Sequence, residues 1–267
     1  MPELPEVESI KRSLSSNIVG HKLKNYKIYD HRTNRFNTKK PTINESLLAI
    51  SRKGKLLIFD FEDYSIIFHL GMSGRIQINE KKNKHTRARF YFDKDNLNFD
   101  DIRRFGFIKI IKAELKIDYL NKIGPDVLKI STKQLRIIID KSKKSKLLIK
   151  DFILNQKYMS GIGNIYANEI LFASKIHPET KVNALSSNNW KDFFKNTKKI
   201  MQLAIKNNGT TLSDMTYFLP YGEFGSNQNF LKIYSKTNCF NCEHIIDKIY
   251  INQRATYFCR KCQKLKN

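Results

Sequence analysis

Four cysteines near the end of the 267-residue sequence form two pairs of equal spacing. Two residues separate Cys239 from Cys242 and also Cys259 from Cys262, and 16 residues lie between the pairs. Two such pairs supply the four thiolates of a tetrahedral metal site with no open position for a substrate. A disulfide framework would instead be expected to spread along a secreted chain. The spacing therefore predicts a structural zinc ion, with iron or a redox role as the alternatives.

The first ten residues, MPELPEVESI, carry a second set of reactive groups. They lack the basic start and apolar core of a targeting leader, so we expect them to belong to the working protein. Removal of Met1 would leave Pro2 with a secondary amine, which can attack an electrophilic sugar carbon and form an iminium ion. The low pKa of an α-amino group and the positive end of a following helix both favour the unprotonated amine. Glu3 would lie beside this nucleophile for proton transfer.

Glycines and lysines at predicted turns indicate contacts with an anion. Gly161 and Gly163 precede a helix predicted to start near Asn164, whose first amides could bind a phosphate. Lys55 and Lys157 also lie beside predicted turns. A glycine-rich turn between packed helices would have the same sequence, so the pattern alone leaves both interpretations open.

Several single residues fit either nucleic-acid contact or ordinary packing. Phe105 follows a pair of arginines that includes Arg103, as expected of an apolar side chain that fills a gap in a base stack, or of a core residue at a strand start. Arg254 falls near the turn of a hairpin predicted between the cysteine pairs, where it would touch a phosphate or be simply solvated. His69 and Met72 are individually typical of hydrogen-bonded packing and of core filling.

The composition is strongly basic. The 49 lysines and arginines exceed the 25 acids by 24 charges, which attracts polyanions because each neutralised phosphate releases counterions. A genome biased towards AT-rich codons would also raise the lysine content. With 40% hydrophobic residues and no apolar run of membrane-spanning length, the chain is expected to fold into one large or two ordinary domains, with the cytoplasm as its default location.

Regular elements must position these groups, and the apolar pattern predicts them. Apolar residues recur at helical spacing over Val7–Ile18, so a helix begins near the start and stops near Gly20. Short runs rich in Ile, Phe and Tyr over 47–112 predict antiparallel strands of a sandwich or flattened barrel. Further helices are predicted at about 133–140, 146–155, 164–174 and 189–206.

Seven motifs, spread over nearly the whole chain, carry a resemblance to a known family. In chain order they are PELPEVE, HLGMSG, RRFG, GIGNIYANE, GTTL, QRAT and the four-cysteine finger. Together they resemble the bacterial formamidopyrimidine-DNA glycosylases. The resemblance to the related endonuclease VIII group is weaker, because that group typically starts with Gly where this chain has Leu4.

The resemblance implies an α+β fold. An N-terminal antiparallel β-sandwich with a leading helix (1–131) would be hinged to a helical helix-two-turns-helix domain (132–235) with a C-terminal zinc ribbon (236–267). It implies a monomeric base-excision repair enzyme of the bacterial cytosol that acts on double-stranded DNA. Such an enzyme removes oxidised purines, chiefly 8-oxoguanine and formamidopyrimidines, and cleaves the abasic site by β,δ-elimination as a lyase. One structural zinc ion is implied, and the chemistry needs no metal or cofactor.

The resemblance also assigns roles by position. Pro2 is the nucleophile, Glu3 transfers protons during ring opening and elimination, Glu6 supports the site, and Lys55 binds the phosphate next to the lesion. The residues implied to contact DNA are His69, Met72, Arg103, Phe105, Lys157, Asn164 and Arg254. Those that fill the hole left by the flipped base are Met72, Arg103 and Phe105. The implied zinc ligands are Cys239, Cys242, Cys259 and Cys262.

The sequence departs from the family pattern at several positions. The segment LPYGEFGSNQNF (219–230) corresponds to the family's flexible loop over the flipped base, and its Asn227 stands where an aromatic residue is common. Ile102 replaces the proline usual before the arginine pair, which leaves φ free in that turn. Asp151 replaces another common proline, and Ser235 stands in YSK where YGR is common.

Two alternative functions follow from the same motifs. An enzyme of the same superfamily could prefer oxidised pyrimidines, as in the endonuclease VIII group. A catalytically inert zinc-ribbon protein could bind nucleic acid without chemistry, but it would be expected to carry changes at Pro2 or Glu3, and both are intact.

Overall fold

The computed structural model forms two compact units. The residues that it describes are 2–34, 41–213 and 216–265. The first unit comprises Met1–Asn121 and Ala204–Gln228, and the second comprises Lys122–Leu203 and Asn229–Asn267. Ala204–Gln228 clusters with the N-terminal residues in the first unit, and the three-part functional division stays a prediction.

The first unit begins with helix α1 (Leu4–Ile18). Its apolar stripe is fully buried, as the spacing of these side chains predicts. Pro5 lies in the first turn, where a missing N–H is tolerated, and Gly20 follows the helix with φ +89, which ends it as predicted.

Two antiparallel sheets follow α1. The strands are β1 (Lys22–Ile28), β2 (Glu45–Ser46), β3 (Ala49–Lys53), β4 (Leu56–Asp60), β5 (Tyr64–His69), β6 (Gly74–Ile78), β7 (Thr86–Phe92), β8 (Asn96–Asp101) and β9 (Phe107–Lys112). One sheet has the order β2-β1-β7-β8-β6 and the other has the order β3-β4-β5-β9. A short helix α2 (Lys116–Asn121) ends this part of the chain.

One hydrophobic core lies between the sheets and α1. Phe68 of β5 packs against Phe90 of β7 and Phe99 of β8, with ring centroids 5.4 Å and 6.1 Å away. Val7 and Leu14 of α1 belong to the same buried cluster. The predicted antiparallel sandwich with a leading helix is therefore confirmed.

Strand β1 was missed by the sequence analysis, which placed the first strand at Leu47. Leu23 and Tyr26 are its buried side chains, and they are three residues apart. The register against β7 shifts between Leu23 and Asn25, so a bulge interrupts the alternation of inward and outward residues. The two-residue period that identifies strands is lost there.

The second unit is helical and ends in a small ribbon. Its helices are α3 (Thr132–Lys143), α4 (Ile149–Leu154), α5 (Asn164–Ala173) and α6 (Ser187–Lys206), whose last residues belong to the first unit. The ribbon is the hairpin of β10 (Asp247–Ile251) and β11 (Arg254–Phe258), which the sequence predicts. Among the helices of the described residues, none has the length and apolar character needed to cross a membrane.

Candidate functional site

The start of the chain is buried at the beginning of α1. Pro2 is buried, and Glu3 and Glu6 are each 1% exposed. The Glu6 carboxylate accepts a hydrogen bond from the Glu3 N–H at 2.8 Å, which satisfies a free donor at the helix start. Two carboxyl groups therefore lie within four residues of the predicted nucleophile and out of bulk water. Met1 lies outside the described residues.

The second oxygen of Glu6 binds a distant segment of the first unit. Its Oε1 accepts the N–H of Thr210 at 2.8 Å. The preceding Gly209 has φ +79, and a Cβ there would lie 2.9 Å from the same Glu6 oxygen. The GTTL motif thus places a backbone donor against Glu6, and both the backbone conformation and the close approach require its glycine. The motif by itself does not predict this contact, because the contact joins residues 204 positions apart.

Lys55 lies in the tight turn between β3 and β4, directly after Gly54, whose φ is +58. Arg52 ties this hairpin to α1, since its Nε donates to Glu8 at 2.9 Å and its Nη1 donates to the Gly54 carbonyl at 2.8 Å. Burial would raise the pKa of Glu8, but hydrogen bonds from Arg52 and Lys11 outweigh burial and lower that pKa. The ion pair fixes the Lys55 turn relative to α1.

Two neighbouring turns of the sandwich carry exposed apolar side chains. Met72 is 38% exposed and Phe105 is 58% exposed. The turns touch through their backbones, because a Cβ on Gly71 would lie 2.5 Å from the Gly106 nitrogen. Nη1 of Arg103 is 3.7 Å from the Met72 sulfur. The structure therefore brings the three predicted wedge residues together, two apolar side chains with a cation beside them.

The buried carboxylate of Asp101 holds the second of these turns. It accepts the Ser73 hydroxyl at 2.6 Å and the backbone N–H groups of Arg103 at 3.2 Å and of Gly106 at 2.7 Å. Ile102, where the family pattern has proline, is 46% exposed. Hydrogen bonds to Asp101 thus restrain the turn without a proline ring. The role of Asp101 was not predicted, and the one signal for it in the sequence is an acid directly before the turn.

His69 packs within the sandwich. Its ring stacks on Phe107, with centroids 5.2 Å apart and planes inclined by 9°, and its Nδ1 accepts the N–H of Gly71 at 3.2 Å. These contacts shape the turn that carries Met72. A DNA contact by His69 stays a prediction.

In the second unit, the structure brings Asn164 and the ribbon together. Asn164 is the first residue of α5, and its Nδ2 donates to the Ala255 carbonyl at 3.0 Å, one residue from Arg254. Lys157 is exposed in the turn after α4, where its N–H donates to the Asn155 side chain at 3.0 Å. The Asn164 side chain therefore supports the ribbon hairpin, next to the predicted phosphate-binding arginine.

Arg254 is exposed at the first position of β11. The turn before it consists of Asn252 and Gln253, whose φ values of 46° and 62° are those of a type I′ hairpin turn. The Nζ of Lys150, which is fully buried, donates to the Thr256 hydroxyl at 2.6 Å. The hairpin tip is thereby anchored to the helical part of its own unit, with Arg254 left open to solvent.

The four cysteine sulfurs converge. All lie within 4.8 Å of one another, and the neighbouring pairs are 3.6 to 3.8 Å apart. Sulfurs at these separations are not disulfide-bonded, and all four cysteines are free. Four thiolates about 2.3 Å from one ion form a tetrahedron with edges of about 3.8 Å. The cluster therefore fits a single metal ion, as the sequence predicts.

Comparisons with known proteins agree with this arrangement. The family model of the formamidopyrimidine-DNA glycosylase N-terminal domain matches residues 1–108, and that of the H2TH domain of the same enzymes matches residues 123–216. The chain is 36% identical to the formamidopyrimidine-DNA glycosylase of Listeria monocytogenes, over 99% of this chain and 100% of that protein. It is also 36% identical to the enzyme of Mycoplasma genitalium, over 99% of this chain and 96% of that protein.

Solved structures of Lactococcus lactis Fpg are similar throughout. A complex of that protein with DNA containing an abasic site has a TM-score of 0.89 and 32% identity, and covers 98% of this chain and 100% of its own. A complex of the wild-type protein with N7-benzyl-Fapy-dG DNA has a TM-score of 0.88 and 33% identity, with the same coverage. These findings confirm the predicted resemblance, the α+β fold class and the prediction of a DNA glycosylase. The chain therefore belongs to the formamidopyrimidine-DNA glycosylase family.

Proposed function

We propose that this chain binds double-stranded DNA, excises oxidised purines such as 8-oxoguanine and formamidopyrimidines, and cleaves the resulting abasic site. The nucleophile is the Pro2 amine of a chain that has lost Met1. The observation that carries the proposal is the burial of Pro2, Glu3 and Glu6 together at the start of α1. The solved Lactococcus lactis complexes, with abasic and Fapy-dG DNA, support this class of substrate.

In the first step, the unprotonated Pro2 nitrogen bonds to C1′ of the damaged nucleotide. The bond from C1′ to the base breaks, and the base leaves with the electron pair and takes a proton. The positive end of α1 favours the free amine, whose ordinary pKa is about 8. Burial removes bulk water from the start of α1, so the neighbouring carboxyl groups stabilise the positive charge of the later iminium ion more strongly.

The second step opens the sugar ring to an iminium ion at Pro2, with Glu3 transferring the protons. Loss of a C2′ proton then expels the 3′ phosphate, and a second elimination expels the 5′ phosphate. Water hydrolyses the iminium, which frees the Pro2 amine and releases the five-carbon remainder of the sugar as an unsaturated aldehyde. The product is a gap of one nucleotide with phosphate at both ends, and no electron acceptor is needed.

The first unit also supplies the groups that hold a flipped nucleotide out of the stack. Met72, Arg103 and Phe105 occupy the vacated space, and Lys55 binds a phosphate next to the lesion. An exposed apolar pair beside a cation suits this role, since flipping costs a few kcal/mol that inserted side chains offset. His69 supports the turn that carries Met72. It lies three residues before Met72, so it takes part in the DNA contact of that turn.

The second unit binds the phosphate backbone of the DNA. Arg254, exposed on its anchored hairpin, and Lys157, exposed after α4, offer cations, and Asn164 lies at the N-terminus of α5 next to the hairpin. The four cysteines hold one zinc ion, because four thiolates in a tetrahedral set suit zinc best and leave no open coordination position. When bound, zinc supplies folding energy to the ribbon and no chemistry.

Three further assignments belong to this proposal. The functional division follows the resemblance, with a catalytic part at 1–131, a helix-two-turns-helix part at 132–235 and a zinc finger at 236–267. The protein acts as a monomer, and it works where bacterial DNA is, in the cytosol. An endonuclease VIII-like preference for oxidised pyrimidines and an inert zinc-ribbon binder are the alternatives that the experiment below separates.

Borohydride trapping on a duplex with 8-oxoguanine opposite cytosine tests the proposal. We expect a DNA adduct on Pro2 of a chain lacking Met1, read by intact mass and by mapping of the N-terminal peptide. Pro2→Gly should retain DNA binding and lose cleavage by about 100-fold or more, because a primary amine in a looser chain replaces the secondary amine. Unchanged turnover of Pro2→Gly would refute the mechanism.

A lesion panel with the same protein separates the alternatives. Trapping on thymine glycol and not on 8-oxoguanine would indicate a preference for pyrimidines. Binding of every duplex without an adduct, by a chain shown to lack Met1, would indicate the inert binder. Glu3→Gln is the matched control for Pro2→Gly, since it keeps the Pro2 amine and should slow elimination while leaving DNA binding intact.

A further inference from the structure

A buried tyrosine, Tyr217, lies next to Glu6, and the proposed reaction does not use it. Tyr217 is 4% exposed, its hydroxyl donates to the Asn208 carbonyl at 2.8 Å, and the same oxygen lies 3.5 Å from the Glu6 carbonyl. Burial raises the pKa of Tyr217 well above its ordinary value, and the charge of Glu6 adds to this effect. The phenol therefore stays protonated at neutral pH and serves as a hydrogen-bond donor.

Gly209 lies between this tyrosine and Glu6. A Cβ on Gly209 would be 2.9 Å from Glu6 Oε1 and 3.1 Å from the Tyr217 hydroxyl, so the three residues are in mutual contact. Tyr217 holds the carbonyl before Gly209, and Glu6 holds the N–H of Thr210 after it. The backbone that donates to Glu6 is thus held from both sides.

Asn227 binds the same stretch of backbone. It is 3% exposed, its N–H donates to the Gly209 carbonyl at 3.0 Å, and its Nδ2 donates to the Thr210 hydroxyl at 2.9 Å. An aromatic residue, which is common at this position in the family, has no side-chain amide to make the second bond. The polar residue at 227 therefore links the loop to the residue that donates to Glu6.

Gly225, two residues before Asn227, packs closely against the same backbone. The Gly225 N–H donates to the Thr211 hydroxyl at 2.9 Å, and a Cβ on Gly225 would collide with the Gly209 carbonyl oxygen. Together these contacts form a continuous hydrogen-bonded path within the first unit. It runs from the Glu3 N–H through Glu6 and Thr210 to Asn227.

We propose that Tyr217 and Asn227 are positioning residues that orient Glu6 through Asn208–Thr210 and so couple the loop over the flipped base to the nucleophile. The inference rests on the proposed function, since it assigns Glu6 to the support of Pro2. Neither residue touches the reacting atoms. Both act on the backbone that Glu6 binds, and both side chains are buried, where loss of a partner leaves an unpaired polar group.

This arrangement affects excision more than the cleavage of a preformed abasic site. Displacement of a base requires the amine, C1′ and the leaving group to be aligned, and small displacements reduce such a rate steeply. An abasic sugar already opens to an aldehyde, which an amine attacks from a wider range of directions. A loosened Glu6 should therefore slow base release while the lyase reaction continues.

Tyr217→Phe tests the tyrosine, with Tyr26→Phe as its matched control. Tyr26 is also buried in the first unit, at 5% exposure, and its hydroxyl donates to the Pro41 carbonyl at 2.7 Å, which lies outside the Asn208–Thr210 backbone. In single-turnover assays we expect Tyr217→Phe to slow release of 8-oxoguanine roughly five- to tenfold, the effect of one buried hydrogen bond. Cleavage of an abasic duplex should stay within about twofold, and Tyr26→Phe should slow neither reaction. Equal excision by the two variants would overturn the inference.

Asn227→Leu tests the second residue, since it removes the amide and retains the backbone N–H. Amide hydrogen exchange, measured by mass spectrometry on peptides containing Glu3 and Thr210, gives a readout that does not depend on activity. We expect faster exchange in both peptides for Asn227→Leu and Tyr217→Phe, and wild-type exchange there for Tyr26→Phe. Unchanged exchange in the two variants would refute the positioning role whatever their activity. Faster exchange together with a wild-type protein that releases no base would instead refute the proposed function.

Discussion

At the scale of single residues, the Glu8 carboxylate binds three cations of very different burial. Its oxygens lie 3.1 Å from Lys11, 3.3 Å from Arg12 and 2.9 Å from Arg52. The Arg12 side chain is 63% exposed, so its pairing contributes little, whereas the Arg52 side chain is 3% exposed. The Arg52 pair is therefore the one on which the Lys55 hairpin depends.

The Glu8–Arg52 ion pair makes the protein less stable as the pH falls. The pKa of Glu8 is lowered below its ordinary value of 4.5 in the folded protein, so its stabilisation is complete above about pH 4.5 and is lost as the pH falls through the folded pKa. Glu8→Gln should reduce the free energy of unfolding by about 1–2 kcal/mol at pH 7, because the buried guanidinium of Arg52 loses its ion pair with Glu8. Urea denaturation at pH 7 and pH 3 should show this difference shrinking in acid. Glu62→Gln, at an exposed acid, is the control, and a difference that persists at pH 3 would contradict the assignment.

At the scale of elements, the turn that follows Ile233 contains a conformation that suits glycine. Ser235 has φ +55, a left-handed value, at the position where the family pattern has the glycine of YGR. Glu169 holds this segment by accepting the N–H groups of Ile233 and Tyr234 at 2.9 Å and 2.8 Å. The backbone is thus kept in a form that a side chain disfavours.

Replacing Ser235 should relieve that strain. Ser235→Gly is expected to raise the free energy of unfolding by about 0.5–1 kcal/mol, since the relieved strain exceeds the extra entropy of glycine in the unfolded chain. Ser235→Ala is the control, because alanine keeps the Cβ. Chemical denaturation of the three proteins would measure the difference, and equal stability of the glycine and alanine variants would argue against strain at this turn.

The ribbon is the other element with a testable dependence. Its hairpin has a small core, so metal binding is expected to supply much of its folding energy. Removal of the proposed zinc by a chelator should disorder the ribbon and weaken DNA binding about tenfold or more, because the hairpin that carries the predicted phosphate contact, Arg254, would lose its support. Bound zinc and DNA affinity should be measured on the same samples. A preparation without metal that binds DNA at full affinity would contradict the structural role.

At the scale of the whole molecule, charge should dominate the affinity for DNA. The chain carries a formal net charge of +24, and the cations predicted to contact DNA are spread over both compact units. Each phosphate contact releases about one counterion, so binding should weaken steeply with salt. Non-specific attraction of this kind should bring the enzyme to DNA, where the proposed catalytic groups near Pro2 would act on the damaged nucleotide.

The salt dependence separates a true phosphate contact from general charge. Arg254→Ala should lower the slope of log affinity against log salt concentration by about one. Arg260→Ala is a matched control two residues after the end of the hairpin, because Arg260 is also exposed but is paired with Asp247. Its slope should stay close to that of the wild type. Equal changes in the two variants would indicate that Arg254 contributes only general charge.

The sequence by itself determined those features that depend on neighbours along the chain. The cysteine spacing predicted the metal-binding cluster, apolar periodicity predicted α1, and the run of Ile, Phe and Tyr predicted the sandwich. The motifs predicted the family, because residue types at fixed short spacing record local chemistry. The strand β1 escaped prediction because a bulge interrupts its alternation.

Only the tertiary structure decided which distant residues support the site. Three hydrogen bonds join segments that are separate in the sequence. They connect the Glu6 carboxylate with the Thr210 N–H, the Asn227 N–H with the Gly209 carbonyl, and the Lys150 ammonium with the Thr256 hydroxyl of the Arg254 hairpin. Asp101, a single acid before a turn, gained its role from three hydrogen bonds that form when two turns meet. Such contacts depend on how sheets and helices pack in three dimensions, which local spacing does not encode.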